Sequence, residues 1–278
     1  MHIIDVSYHQ KEINWPAVKA ALINGESING VIIRAGYGMR TRDKRFIENI
    51  DGAIAAGFKH IGVYWFSYAY TVDMARKEAE YCDEVIKKYK NVLDLGVYYD
   101  WEYASMDYAR ENGTNPSKEL ITEMNRTWCE IMSGLGYIAG YYLNNDYKLH
   151  YIDTNKLTAY RQWFARYINQ PQTGCYIWQY SSKGQVEGIG GDVDVNIFIG
   201  VDPTSKQPND GNIKPMPLIK KGSQGKAVML WQIIIDAKVD GDFGDETDEK
   251  TRRWQAEHQL EPDGKVGRYT WTEGLASV

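Results

Sequence analysis

"GVYYDWE", residues 96–102, is the stretch on which the reading of the fold turns. Val97, Tyr98, Tyr99 and Trp101 are strand formers, so the segment reads as a buried strand. It also carries two acids, Asp100 and Glu102. A carboxylate buried without a partner is costly, and its pKa usually shifts instead. Side chains alternate along a strand. Tyr98, Asp100 and Glu102 therefore share one face, and Val97, Tyr99 and Trp101 share the other. Positions i and i+2 rise by about 7 Å. Two acids so placed suit chemistry that needs a protonated carboxyl beside an ionised one. The plainer alternative is a solvated strand end with two incidental charges.

Similar strand-like runs lie on either side: "IIDVS" (3–7), "GVIIRAG" (30–36), "IGVYWFSY" (61–68), "IAGYYLN" (138–144), "QWFARY" (162–167), "YIWQYS" (176–181) and "DVDVNIF" (192–198). Amphipathic segments at 44–57, 72–89 and 117–135 fall among the first five. Strands alternating with helices imply an α/β fold with a mostly parallel sheet. Eight strands in about 200 residues predict a TIM-like β/α barrel with fewer helices in its last third. Active sites in such barrels lie at the carboxyl ends of the strands. Asp5 falls late in the first run, Asp100 and Glu102 late in the fourth, and Asp194 within the eighth. Strands one and eight are neighbours in a closed barrel, so these four acids are expected to meet at one mouth.

Residues 201–217, "VDPTSKQPNDGNIKPMP", are rich in Pro, Asn, Asp and Lys and read as a linker. Residues 218–278 read as a small helical domain, with helical pieces at 225–237 and 247–258. "DGDFG" (240–244) and "DGKVG" (263–267) are turn-like echoes of each other. "DGDFGDETDE" lacks the acid, Gly and Glu spacing of an EF-hand, so it reads as a turn and helix cap.

The 278 residues are 43% hydrophobic and 25% charged, an ordinary composition for one large and one small domain. A net charge of −5 without a basic block argues against nucleic-acid binding. Cys82, Cys129 and Cys175 have no CxxC spacing and imply neither a disulfide framework nor a zinc site; they read as buried thiols. No metal or cofactor is implied. No run reaches the ~18 apolar residues of a membrane span. "MHIIDVSYHQ" enters a strand without a basic start or cleavage site. The expectation is a chain made in the cytoplasm without a signal peptide, meeting any extracellular substrate only after release. The 21 Tyr and nine Trp suit a core and flat faces for sugars.

Several of these segments together resemble glycoside hydrolase family 25, the muramidases of phage endolysins and bacterial autolysins. "DVSYHQ" with "INW" resembles the family's opening, and "DKRFIENIDGAIAAGFKHIGVYWFSYA" its second helix and third strand. "GVYYDWE" resembles its acid-x-Glu strand, and "IWQYSSKGQVEGIGGDVDVNIF" its closing segment. The resemblance covers residues 1–200 and implies an irregular β/α barrel. It implies hydrolysis of the β-1,4 bond from N-acetylmuramic acid to N-acetylglucosamine in peptidoglycan, with retention. Glu102 matches the general acid, Asp100 the acid two residues before it, Asp5 the opening Asp, and Asp194 the Asp of the terminal "VDVN". Asp100 could be the nucleophile, or could orient the substrate's own N-acetyl group. The second route is favoured by the i, i+2 pair, which resembles that of family 18 chitinases. Tyr64, Tyr142 and Trp178 are candidate sugar contacts. One departure stands out: where many members carry Lys-Ala-Thr-Glu-Gly, this chain has "RAGYG" (34–38), which puts Tyr37 at the position of the Glu.

The tail resembles the type 1 peptidoglycan-binding domain, a three-helix module, with Lys250-Thr251 in place of its usual Ala-Val pair. The expected partner is bacterial cell-wall peptidoglycan, without nucleic acid or membrane insertion and with the oligomeric state open. Competing expectations are hydrolysis of a related N-acetylated polysaccharide such as chitin, or wall binding without catalysis.

Overall fold

The computed structural model describes residues 1–168, 174–200, 217–258, 260–267, 270–271 and 273–274. Most of the expected linker, 201–216, lies outside the described residues. The chain divides into two compact units, Met1–Ser205 and Lys206–Val278.

In the first unit the elements run β1 (His2–Val6), α1 (Trp15–Ala20), β2 (Leu22–Ile23), β3 (Glu26–Tyr37), β4 (Thr41–Arg42), α2 (Phe46–Ala55), β5 (His60–Phe66), α3 (Val72–Ile86), β6 (Gly96–Asp100), α4 (Tyr103–Glu111), α5 (Lys118–Gly134), β7 (Ala139–Asn144), α6 (Asn145–His150), β8 (Arg161–Ala165), β9 (Ile177–Gly184) and β10 (Val193–Phe198). Strands β1, β3, β5, β6, β7, β8, β9 and β10 close into an eight-stranded barrel, with β1 paired to both β3 and β10. Strand β2 forms a short antiparallel ribbon with β3, and β4 pairs with the end of β3. The predicted barrel and its eight strands are present. Among the described residues no helix separates β8 from β9 or β9 from β10, so the thinning of helices is also present.

The eight barrel strands are parallel except at the barrel's close. Strand β10 runs antiparallel to both β9 and β1. The reversal decides where Asp194 sits. It is the second residue of β10, yet its Cα partner is Asp5 near the end of β1. An amino-terminal position on a reversed strand thus reaches the same mouth as the carboxyl ends of the parallel strands.

Period-two alternation sorts the side chains. Inward positions bury Ile3, Ile32, Leu95, Tyr98, Trp163, Ile177 and Phe198 in the barrel interior. Outward positions, among them Val97, Tyr99 and Trp101, join the core between sheet and helices. Tyr98 fills the interior so tightly that a Cβ on Gly140 of the next strand would meet its ring at 2.5 Å. Cys82, Cys129 and Cys175 are all buried, and none is in a disulfide.

In the second unit, α7 (Lys226–Ile234) and α8 (Asp245–Glu257) pack around Trp231, Trp254 and Trp271. Residues 270–271 and 273–274 are helical where a third helix is expected. The two echoing turns share one design. The amide nitrogen of Gln232 donates to Asp240, the Asp242 carbonyl and Thr247, while its oxygen accepts from the Gly241 N–H. Gln255 does the same for Asp263, the Lys265 carbonyl, Thr270 and the Gly264 N–H. Gly241 and Gly264 have φ of 76° and 71°, a left-handed backbone that glycine adopts at little cost. Thr251, at the departure from the usual Ala-Val pair, is fully buried and accepts from the Trp231 indole N–H at 2.9 Å.

Candidate active site

Strand β6 ends at Asp100, two residues earlier than the sequence run. Glu102 then occupies the N-cap of α4. Its backbone is still extended, with φ −141° and ψ −162°, and its N–H donates to Ser105 Oγ at 3.1 Å. Alternation therefore continues past the strand, and Asp100 and Glu102 both line a cleft of about 460 Å³ at the barrel mouth. Asp5 and Asp194 line the same cleft. All four predicted acids come together, from β1, β6, the β6–α4 junction and β10.

Their electrostatics differ from those of surface carboxylates. Burial, followed by the Asp194 charge, pushes Asp5 well above the usual carboxylate range. Burial and then Glu102 do the same to Asp100, opposed by the Arg34 guanidinium. Burial and Asp194 raise Glu102. Asp194 is raised to about 6, chiefly by burial. Like charges in one low-dielectric hollow disfavour joint ionisation, so the cluster holds protons that separate carboxyls would release.

Asp5 is the best anchored. Its Oδ2 accepts from Gln179 Nε2 at 3.0 Å and Asn196 Nδ2 at 2.8 Å. Gln179 is oriented by hydroxyls of Tyr142 (3.0 Å) and Tyr167 (3.1 Å), and Asn196 by the Trp163 indole N–H (2.8 Å). Asp100 contrasts with it, because its Oδ1 is buried without a hydrogen-bond partner.

Of the aromatic candidates, Tyr64 and Tyr142 line the cleft and pack edge-on against Trp163, at 5.8 Å and 5.0 Å, on its floor. Trp178 does not line it. It falls between inward Ile177 and Gln179, so alternation turns it into the outer core, where its indole N–H donates to the Arg166 carbonyl at 2.7 Å. Tyr37 is likewise absent from the cleft lining; its ring lies 5.4 Å from the Arg34 guanidinium.

Arg34, Gln179, Asn196, Trp163 and Tyr167 were not singled out from sequence. The signal available was alternation within segments already quoted: Gln179 is two residues after Ile177, and Asn196 two after Asp194. Arg34 is the one Lys or Arg among the described residues that line the cleft. Its Nε donates to buried Asp43 at 2.7 Å, while Nη2 has no partner.

The family model described as Glycosyl hydrolases family 25 matches residues 4–189. The chain belongs to glycosyl hydrolase family 25. A peptidoglycan binding domain model matches residues 230–273. The modular autolysin LytC of Streptococcus pneumoniae is 29% identical, with a TM-score of 0.59 over 70% of this chain and 46% of that one. The present chain thus spans about half the length of that autolysin, whose structure is also known with a synthetic peptidoglycan ligand. A family 25 glycosyl hydrolase from Bacillus anthracis is 22% identical, with a TM-score of 0.58 over 73% of this chain and 90% of that one, and shares the fold. The uncharacterized protein YegX of Escherichia coli O157:H7 is 26% identical over 78% of this chain and 76% of its own length. Family 25 membership makes this chain a glycoside hydrolase and makes the acid-lined cleft its candidate active site.

Proposed function

We propose that the chain is a lysozyme-type muramidase. It hydrolyses the β-1,4 bond between N-acetylmuramic acid and N-acetylglucosamine in peptidoglycan, with retention at the anomeric carbon. The observation that carries this reading is the convergence of Asp5, Asp100, Glu102 and Asp194 on one cleft, each raised above the ordinary carboxylate range.

Glu102 is the general acid. Burial and Asp194 raise its pKa and so favour the protonated form, and it delivers that proton to the leaving glycosidic oxygen. Asp100 Oδ1 is an acceptor without a partner in a buried position, suited to take the N–H of the substrate's acetamido group. With that group oriented, its carbonyl oxygen attacks the anomeric carbon as the leaving bond breaks. Glu102, now ionised, withdraws a proton from the water that reopens the intermediate. Asp5, held by Gln179 and Asn196, and Asp194 opposite it balance charge around the developing cation. Tyr64 and Tyr142 offer ring faces and edges to the sugar. Residues 218–278 hold the enzyme on the wall.

Mass spectrometry of the products from a defined peptidoglycan tests the bond assignment. The expected fragments end in a reducing muramic acid. A reducing glucosamine end, or cleavage of chitin with peptidoglycan left intact, would overturn it. Retention of residues 218–278 on purified sacculi, above a control protein, tests the wall-binding role.

A further inference from the structure

Behind the acid pair, on the outer face of β6, lies a carboxylate that the mechanism does not use. Glu78 on α3 is fully buried. Its Oε2 accepts from the hydroxyls of Ser67 (2.7 Å) and Tyr99 (3.0 Å), and its Oε1 from the Tyr68 N–H (2.9 Å). These partners are all neutral. Burial raises Glu78 to about 7, with the Ser67 bond first among those opposing it. An apolar side chain would fill such a site at lower cost, so stability explains this group poorly.

The segment that Glu78 grips gives it a use. Residues 67–69 follow β5 at the barrel mouth and bind the turn carrying the acid pair at three points. The Ser67 N–H donates to the Asp100 carbonyl at 2.8 Å. The Trp101 indole N–H donates to the Ala69 carbonyl at 2.7 Å. Ser105 Oγ donates to the Ser67 carbonyl at 2.6 Å and itself accepts from the Glu102 N–H. Ser67 Oγ, beside Glu78, also accepts from the Ala69 N–H at 3.0 Å, which closes the segment on itself. Tyr99, the third residue touching Glu78, precedes Asp100 in the same strand.

We propose that Glu78 is a positioning residue for the acid pair: it fixes residues 67–69, and these hold the main chain at Asp100, Trp101 and Glu102 so that both carboxyls aim into the cleft. Inward and outward faces of β6 thereby share one task. The inward face carries the chemistry, and the outward face is where its geometry is set. A shift of about 1 Å at a reacting group can cost about 100-fold in rate, so a rigid carboxylate anchor is worth its burial.

The test compares kcat, KM, pH profile and thermal unfolding of the full chain for the parent, Glu78→Ala and Glu78→Gln. Its kinetic arm rests on the muramidase reading and uses a soluble peptidoglycan fragment. For Glu78→Ala, kcat should fall about 10- to 100-fold with KM within about two-fold, and the alkaline limb set by Glu102 should move. Glu78→Gln keeps an acceptor for the Tyr68 N–H and offers donors to the two hydroxyl oxygens, so it should restore kcat to within about three-fold. A Glu78→Ala protein with parental kcat and pH limb, whether or not it melts earlier, overturns the proposal. If Glu78→Ala does not fold, Ser105→Ala decides. It cuts the link between Ser67 and Glu102 without stranding a charge, and an unchanged kcat and pH limb there overturns the proposal. If the parent itself leaves peptidoglycan intact, the muramidase reading fails alone. The clamp is then read by carbon NMR titration of Glu102 in the parent and Ser105→Ala, where an unmoved titration overturns it.

Discussion

The barrel mouth and the C-terminal module both bury polar side chains, and they do so in opposite ways. In the module, Gln232 and Gln255 each turn an amide onto the backbone of a tight turn and fill their hydrogen-bonding capacity locally. Among the described residues, no buried side-chain polar atom of the module lacks a partner. At the mouth, carboxyls face one another, and Asp100 Oδ1 and Arg34 Nη2 have no partner. Satisfied buried polar groups specify a shape. Unsatisfied ones are a cost. Six further buried atoms among the described residues of the barrel, including Asn49 Nδ2 and Trp128 Nε1, also lack a partner, but only Asp100 Oδ1 and Arg34 Nη2 belong to residues that line the cleft, where a ligand can complete them.

That contrast can be broken most severely at Glu102. Glu102→Gln removes the transferable proton while preserving shape, and turnover should fall about 1000-fold with little change in melting temperature. A reducing-end assay on a soluble peptidoglycan fragment measures it. Parental turnover would remove Glu102 from the mechanism.

Asp100→Asn should reduce kcat about 100-fold and at the same time raise the melting temperature of the barrel at neutral pH, because a buried titratable carboxyl with an unpartnered oxygen gives way to a neutral amide. Calorimetry beside the kinetics checks both signs. Loss of stability would mean that Asp100 is satisfied in a way the contrast denies.

Gln232→Ala gives the reverse pattern. It strands the Gly241 N–H and the Thr247 hydroxyl, and should cost the module about 2–3 kcal/mol. Turnover of a soluble fragment should stay unchanged while retention on sacculi declines.

The smallest effects concern pH. Asp194 is the charge that, after burial, raises Glu102, so Asp194→Asn should lower the Glu102 pKa and move the alkaline limb of kcat toward acid by about one unit or less. Stability follows the same signs. A carboxyl whose folded pKa lies above its unfolded value stabilises the fold below the unfolded pKa, and that contribution disappears as pH rises through the folded one. For Asp194 the window runs from the ordinary value of 3.8 to about 6. The melting temperature of the barrel should therefore decline across that interval, and Asp194→Asn should flatten the decline.

Much of this was legible before any coordinates. Strand alternation in "GVYYDWE" put Asp100 and Glu102 on the face of Tyr98, and the structure keeps them there although the strand ends at Asp100. The eight strand runs and the helices among the first five came from local periodicity, which depends only on neighbouring residues. Trp178 shows the limit. An aromatic in a strand near the mouth suggested a sugar platform, but its parity in β9 turns it into the outer core.

By itself the sequence determined which residues alternate, where the chain turns, and hence that a barrel with inward acids would form. Only the tertiary structure decided which strands meet and in which direction. The reversal of β10 sets Asp194 against Asp5, Gln179 and Asn196 reach Asp5 from strands far along the chain, and Glu78 grips residues 67–69. The reason is physical. Side-chain parity is a property of a few consecutive backbone units, whereas a pKa or a hydrogen bond depends on distances through space that only closure of the barrel fixes.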